Sequence, residues 1–163
     1  MTEAIVAAVQ GFPPEAATAL LAALPVTELR AAIPAAVGVF HLGPWSALLW
    51  AVLGNLLPVP FVLWFLPPVV KLAELRIPVL HRALDRYFRS LEAKHRASYD
   101  KWGALALAIF VAIPLPLTGA WTASVLAVLF SIKFRTALPA IAAGVLTAGG
   151  IVLALTVGVS RLF

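Results

Sequence analysis

The apolar residues of this chain fall into four segments, two broken by prolines and two nearly continuous. Residues 12–40 and 103–132 are the broken segments, and residues 45–66 and 137–159 are the continuous ones. A continuous segment of this length crosses the ~30 Å hydrocarbon core of a bilayer as one helix. Each arm of a broken segment gives only about 14 Å of helix, so we expect it to enter a membrane without crossing it.

Prolines and polar residues mark the centres of the two broken segments. The first centre reads Leu24-Pro25-Val26-Thr27-Glu28-Leu29-Arg30-Ala31-Ala32-Ile33-Pro34, and the second runs from residue 112 to residue 124. Four prolines are expected to break the helices: Pro25, Pro34, Pro114 and Pro116. Thr27 is predicted to cap the helix after the first break, with Glu28 in its first turn, where a carboxylate favours the helix dipole. Pro67-Pro68 is expected to end the first span.

Basic residues are concentrated between the first span and the second broken segment. Residues 71–101 hold eight of the twelve lysines and arginines: Lys71, Arg76, Arg82, Arg86, Arg89, Lys94, Arg96 and Lys101. Leu80, Leu84 and Phe88 recur at helical spacing opposite charged residues, which predicts an amphipathic helix on the cytoplasmic surface, in contact with anionic lipids. Packing of this helix on the protein's own loops is an alternative that the pattern leaves open.

The distribution of charge favours hairpins over kinked spans. If all four segments crossed the membrane, Lys133 and Arg135 would lie on the opposite side from residues 71–101, against the positive-inside rule. A re-entrant hairpin at residues 103–132 places all these basic residues on the cytoplasmic side. The prediction is an all-α inverted repeat, in which each re-entrant hairpin precedes a transmembrane helix and both termini lie outside the cell membrane. Four tilted, kinked spans with both termini inside are the alternative.

Composition supports one membrane domain covering residues 1–163. The hydrophobic fraction is 63%, the mean hydropathy is +1.02 and charged residues make up 12%, which excludes an ordinary soluble domain. The net charge of +5 resides mostly in one loop between apolar segments, so it indicates anionic lipid rather than nucleic acid. The absence of cysteine excludes disulfides, thiolate nucleophiles and cysteine-ligated metals.

Glu28 and Arg30 are the first candidates for function. The hairpin places them near the middle of the membrane, where a charge is costly and usually functional. Two residues apart on a helix they diverge by about 200°, so we expect them to be poor partners for each other. Glu28 is expected to reach the helix start at residues 118–121, and Arg30 a free carbonyl or an anionic substrate. Glu28 is a candidate proton carrier, because burial raises the pKa of a carboxyl group while a neighbouring cation lowers it. A structural ion pair or helix cap is an equally open alternative.

The second tip carries hydroxyls, a glycine and an indole. Its candidate site residues are Thr118, Gly119, Trp121, Thr122 and Ser124. Two facing helix starts, with hydroxyls and a glycine that admits a ligand, predict a substrate or ion site for an anion or carboxylate. Trp121 either walls this site or fills a packing gap. Asn55 is a further candidate that bridges the first span to a tip, although an interhelical hydrogen bond without a transport role is the favoured interpretation.

Enzymatic chemistry has little support in this sequence. The three histidines show no ligand spacing, and there is no serine–histidine pair, glycine-rich phosphate loop or cluster of carboxylates. We therefore expect a protein that is not an enzyme and uses neither metal nor cofactor.

The broken segments resemble the small multidrug export protein family, a group distantly related to the DedA superfamily. The likeness is carried by residues 24–34, by Gly54-Asn55-Leu56-Leu57-Pro58-Val59-Pro60 and by residues 112–124, with the basic helix between them. The resemblance implies two facing re-entrant hairpins and a role in export. DedA relatives are associated with proton-dependent transport and with movement of lipid phosphates.

Together these observations predict a small secondary transporter or exporter, coupled to protons, with its site between the two hairpin tips. A homo-oligomer, with a dimer favoured, would shield the kinked and polar elements from lipid. The substrate would be a small molecule or a lipid phosphate. The alternatives are a passive lipid scramblase and a membrane protein with a structural or assembly role.

Overall fold

The structure, a computed structural model, describes Val9 and residues 11–76, 103–114 and 119–160. These residues contain no strand, in agreement with the all-α prediction. Seven helices lie wholly within them: α1 Pro14–Ala23, α2 Glu28–Gly38, α3 Pro44–Leu56, α4 Pro58–Arg76, α5 Gly103–Ala112, α6 Ala120–Leu129 and α7 Phe134–Ser160.

Two stretches of helix are long and apolar enough to cross a membrane. They are Pro44–Val69 and Phe134–Val159, each of 26 residues, and an 18-residue window within them has a mean hydropathy of 1.9 and 2.2 respectively. A helix of this length extends about 39 Å, which crosses a bilayer with some tilt. Both apolar segments that the sequence identifies as spans are therefore helices of spanning length.

The first long helix extends beyond its predicted end. Pro67 and Pro68 lie inside α4, which continues to Arg76, so the prediction that they end the helix is wrong. Proline has a φ angle that is compatible with a helix. Each proline lacks an N–H and so removes one backbone hydrogen bond, while the neighbouring turns keep their hydrogen bonds. The interruption lies instead at Leu57, between α3 and α4. Residues 71–76 of the predicted amphipathic region thus continue α4, and residues 77–101 lie outside the described part of the chain.

Each broken segment consists of two short helices. Helices α1 and α2 have 10 and 11 residues and meet at a turn that contains Pro25. Helix α5 ends two residues before Pro114, and α6 has 10 residues. These two prolines lie at breaks as expected, whereas Pro116 falls outside the described residues. Pro34 was also expected to break a helix, but it lies inside α2. Its ring is exposed and it removes one backbone hydrogen bond, which the helix tolerates.

Glycines allow the first short helix of each broken segment to pack closely on a long helix. A Cβ at Gly54 of α3 would overlap the backbone of Ala19 in α1, and a Cβ at Gly144 of α7 would lie 2.7 Å from the carbonyl oxygen of Ala108 in α5. Gly144 belongs to the small-residue stripe that the sequence identifies for close packing, and Ala148 of the same stripe is buried. Both long helices therefore receive a short helix in backbone contact.

The second arms cross to the other half of the molecule. Helix α2 packs on α7 as well as on α1 and α3, and α6 packs mainly on α4. The core is made of small and branched side chains, among them Leu21, Ile33, Val59, Ile141 and Val145. Large apolar side chains cover the outside, including Trp45, which is 79% exposed, and Trp64, which is 75% exposed. An apolar exterior of this kind is suited to lipid rather than water.

The connection from α2 to the first long helix and the connection from α6 to the second share an unusual backbone conformation. His41 follows α2 with φ of 54°, and Ser131 follows α6 with φ of 54°. Each residue lies three positions before the start of a long helix, at Pro44 and Phe134 respectively. Positive φ is uncommon outside glycine, so its recurrence at matching places is a shared feature of the two halves.

Candidate functional site

The two broken segments touch through Glu28 and Gly119, and the parts of the segments around these residues are called the tips. The Glu28 carboxylate lies so close to the Cα of Gly119 that a Cβ added there would overlap both carboxylate oxygens. Gly119 is the N-cap residue of α6, and the contact predicted between Glu28 and this helix start is present. A carboxylate at the start of a helix interacts favourably with the helix dipole. The absence of a side chain at position 119 is what lets the two tips meet.

Glu28 has a backbone conformation that is rare for a bulky residue. Its φ is 46°, in the left-handed region, at the first residue of α2. Such a conformation costs on the order of 1 kcal/mol and is found where surrounding contacts hold the residue in place. The contact with Gly119 is such a restraint.

The left-handed conformation also brings Glu28 and Arg30 together. Arg30 Nη2 lies 3.8 Å from Glu28 Oε2, so the expectation that the two are poor partners is wrong. That expectation assumed that both residues have helical backbone angles, and Glu28 does not. Glu28 is 8% exposed as a residue, while the Arg30 side chain is 29% exposed. The ion pair thus joins a buried carboxylate to a partly accessible guanidinium.

Trp121 makes a hydrogen bond that is a second contact between the two broken segments. Its indole Nε1–H donates a hydrogen bond of 2.9 Å to the carbonyl oxygen of Ala23, the last residue of α1. The final carbonyls of a helix lack partners within the helix, so this bond satisfies one of them. The sequence offered two interpretations, a wall of the site or a packing residue. The structure instead shows Trp121 as a hydrogen-bonded link between the tips.

Thr27 stabilises the first tip differently from the prediction. It occupies the N-cap position of α2, but its hydroxyl makes no capping bond, so that part of the prediction is wrong. Its backbone is helical, at φ −93° and ψ −49°, whereas a capping residue normally has extended angles. The hydroxyl donates instead to the carbonyl oxygen of Leu21 in α1. Thr27 therefore holds the turn between α1 and α2.

A small cavity lies between the tips and the long helices. Four candidate residues line it together with apolar neighbours: Glu28, Arg30, Asn55 and Gly119, then Leu29, Val111, Pro114, Ala120, Val145, Ala148 and Val152. It has room for about one water molecule. In this conformation the site therefore admits a water-sized group and excludes a drug-sized molecule.

Asn55 brings a polar atom from α3 to this cavity. The residue is 2% exposed, and its Oδ1 is buried without a hydrogen-bond partner among the residues that the structure describes. The sequence led us to expect an amide hydrogen bond to a tip or between helices. For the amide oxygen the described residues provide none, and the oxygen is left as an acceptor beside the cavity.

The remaining polar candidates of the second tip lie apart from the cavity. Ser124 is fully buried, and its hydroxyl donates a 2.6 Å bond to the carbonyl oxygen of Ala120 in its own helix. Thr122 lies on α6, partly buried, and does not line the cavity. Thr118 falls outside the described residues. The expected hydroxyl cluster is thus not assembled around the cavity by the residues that are described.

The sequence did not identify the wall that α7 contributes. Val145, Ala148 and Val152 follow helical spacing along one face and close the cavity opposite the tips. Ala148 was interpreted only as a packing residue. The repeat of small and branched residues after Gly144 was the available signal, but apolar side chains do not reveal which of them face a site.

Three polar groups are brought together at the cavity by the residues that the structure describes. Within the described ranges, no group of three or more histidine, aspartate or glutamate residues is placed to hold a metal ion. The cavity combines one carboxylate, one guanidinium and one amide oxygen. This set can take up a proton, exchange an ion-pair partner and accept hydrogen bonds.

Comparisons with known proteins identify one family for this chain. The sequence model of one family, described as "Putative small multi-drug export protein", matches residues 28–151, which begin at Glu28 and include Asn55, Gly119 and most of α7. A search of curated proteins found no match, and neither did a search of solved structures. The family match and the two long apolar helices make this a membrane protein. Since the match covers most of its length, the chain belongs to the small multidrug export protein family.

Proposed function

We propose that this protein is a secondary transporter that exports small molecules across the cell membrane in exchange for protons. The observation that carries the proposal is the contact between the tips, where the buried carboxylate of Glu28 lies against Gly119 and beside Arg30. A buried charge at the junction of two broken helices is energetically costly, and ionisable residues in such places usually have a function. The match to an export family supports the same conclusion.

We further propose that the two broken segments are re-entrant hairpins that enter from opposite faces. Their arms have 10 or 11 residues, which is about half the thickness of a bilayer core. The concentration of basic residues after the first span and again at Lys133 and Arg135 favours a cytoplasmic position for both regions. Both termini would then lie outside.

Matching local features support an inverted repeat. His41 and Ser131, the helix starts at Pro44 and Phe134, and the packing glycines Gly54 and Gly144 form three pairs. The two members of each pair are separated by the same number of residues. The second arms also make corresponding contacts, since α2 packs on α7 and α6 packs on α4. Such repeats are the usual basis of alternating access in small transporters.

Transport in this scheme requires the tips to separate. The cavity accommodates about one water molecule, so the structure corresponds to a closed conformation. Protonation of Glu28 would remove its charge and weaken its attraction to Arg30, which frees the guanidinium and loosens the contact at Gly119. Rocking of one hairpin against its long helix would then open the cavity to one face at a time. The opened tips would accept a small molecule or a lipid phosphate, with Arg30 available to an anionic group.

Two partners belong to the proposal. Anionic lipids would contact the basic residues on the cytoplasmic side. A second copy of the chain would cover part of the apolar exterior in a dimer, since only 33% of an 18-residue window of Pro44–Val69 is buried by the described residues.

The experiment uses purified protein in proteoliposomes with an acidic interior and the lipophilic dye ethidium outside. We expect the outward proton gradient to drive ethidium uptake, and we expect Glu28→Gln to abolish this dependence on the gradient. Glu15→Gln is the matched control, because Glu15 lies in the first turn of α1 away from the cavity. Uptake that is unaffected by both the gradient and Glu28→Gln would contradict proton coupling. Gradient-independent movement of a fluorescent phospholipid would support the scramblase alternative, and no movement of either probe would support a structural role.

A further inference from the structure

The amide oxygen of Asn55 is a buried acceptor without a donor. It lies on α3 in a residue that is 2% exposed, and no described residue donates to it. Buried polar atoms in proteins are almost always hydrogen-bonded, because water has been removed from them and must be replaced. An apolar residue of similar size would avoid this loss. An unpaired acceptor beside a cavity therefore indicates a bound donor.

The size and polarity of the cavity restrict what this donor is. There is room for about one water molecule, and Asn55, whose Oδ1 has no partner among the described residues, and Glu28 are the lining residues whose side chains carry acceptors. An anion would be repelled by two acceptors. A metal cation would add positive charge to a carboxylate that Arg30 already balances, at 3.8 Å. A neutral molecule with two donors satisfies both acceptors without adding charge.

We propose that the cavity binds one water molecule, which donates hydrogen bonds to Asn55 Oδ1 and to the Glu28 carboxylate and delivers the proton to Glu28. This inference rests on the proposed role of Glu28 as a proton carrier. A proton that enters from the solution first binds the water. The protonated water then breaks one of its three O–H bonds and transfers that proton to a carboxylate oxygen of Glu28, where a new O–H bond forms. No electrons are exchanged, and the same water remains in place.

Asn55 has a defined part in this transfer. Once protonated, Glu28 donates to the water, and the water still donates to Asn55 Oδ1, so the amide oxygen holds the water in both protonation states. The other ionisable group that lines the cavity in the described chain is Arg30, from α2. The lining residues from α5, α6 and α7 are not ionisable, namely Val111, Ala120, Val145, Ala148 and Val152. Asn55 is thus a positioning residue for the proton.

Infrared difference spectroscopy of the purified protein between neutral and acid pH tests the proposal directly. The carboxyl C=O band that disappears in Glu28→Gln reports protonation of Glu28. Asn55→Leu, which keeps the volume but lacks the acceptor, is expected to shift the midpoint of this band by about half to one unit toward higher pH, since the water is no longer held and its bond to the charged carboxylate is stronger than its bond to the protonated group. It should also abolish a water O–H band that moves in water labelled with oxygen-18.

Two further variants separate this role from a structural one. Asn55→Thr retains an acceptor oxygen, so the midpoint of the Glu28 band is expected to lie close to the wild-type value. Thr156→Val is the matched control, because the Thr156 hydroxyl donates 2.8 Å within α7 to the carbonyl of Val152 and its loss should change neither band. A Glu28 band that is insensitive to Asn55→Leu overturns the water site while leaving the proposed function intact. The absence of any Glu28 band in the wild type overturns both.

Discussion

Replacing Gly119 with alanine tests the contact between the two hairpin tips. The backbone of Gly119 is extended, at φ −127° and ψ −174°, and alanine adopts this conformation without strain. The cost of the substitution therefore comes from space. The new Cβ would overlap both carboxylate oxygens and the Cδ of Glu28, and Glu28 is 8% exposed, so the carboxylate has little open volume into which to move.

We expect Gly119→Ala to lower the free energy of unfolding by about 1–3 kcal/mol, the usual cost of inserting a carbon into a packed interior. The assay is chemical denaturation in detergent micelles. Gly150→Ala is the matched control, because a Cβ there meets open space on α7. Alanine favours a helix, so this control should be unchanged or stabilised by up to about 1 kcal/mol.

A double-mutant cycle assigns the cost to the carboxylate. In a Glu28→Ala background the overlapping atoms are absent, so Gly119→Ala should cost nothing and the coupling energy should equal the cost of the single substitution. An equal cost with and without the carboxylate would refute the tip contact. So would a Gly119→Ala variant as stable as Gly150→Ala.

Three further predictions concern the same architecture. Trp121→Phe removes the bond to the Ala23 carbonyl and should lower the free energy of unfolding by about 1 kcal/mol, whereas Trp45→Phe on the exposed surface should change it little; equal effects would refute the link. Gly54→Ala should cost more than about 1–3 kcal/mol because the Cβ meets rigid backbone, and Gly158→Ala, in open space, should cost nothing; a tolerated Gly54→Ala would contradict the close packing of α1 on α3. Arg30→Gln leaves the buried Glu28 carboxylate without this ion-pair partner, so it should lower the free energy of unfolding by about 1–3 kcal/mol and reduce gradient-driven ethidium uptake; unchanged uptake would remove Arg30 from the site.

The presence of the helices and their approximate positions were predictable because they depend on local sequence. The two long helices follow from apolar segments of spanning length, and Pro25 and Pro114 lie at breaks, as expected of proline. Pro34 and Pro67 were expected to break or end helices because a proline inside a helix costs roughly 3 kcal/mol or more. That cost is outweighed where the rest of the helix keeps its hydrogen bonds and packing.

The site was predictable in its members but not in its geometry. Glu28 and Asn55 were identifiable because charged and amide groups are unusual in apolar segments. The ion pair between Glu28 and Arg30 depends on one left-handed φ angle, which the residue types do not reveal. The unpaired oxygen of Asn55 and the bond from Trp121 to α1 depend on how distant helices pack, and sequence spacing carries no signal for them.

The central claim is that two re-entrant hairpins enter from opposite faces and meet at Glu28 and Gly119. The sidedness of single cysteines at Lys71 and Lys133 tests it most directly, because the chain contains no cysteine and both positions are exposed. We predict that a membrane-impermeant maleimide labels Lys71→Cys and Lys133→Cys from the cytoplasmic face and labels His41→Cys from the opposite face. Labelling of Lys71→Cys and Lys133→Cys from opposite faces would show that residues 103–132 cross the membrane and would contradict the account.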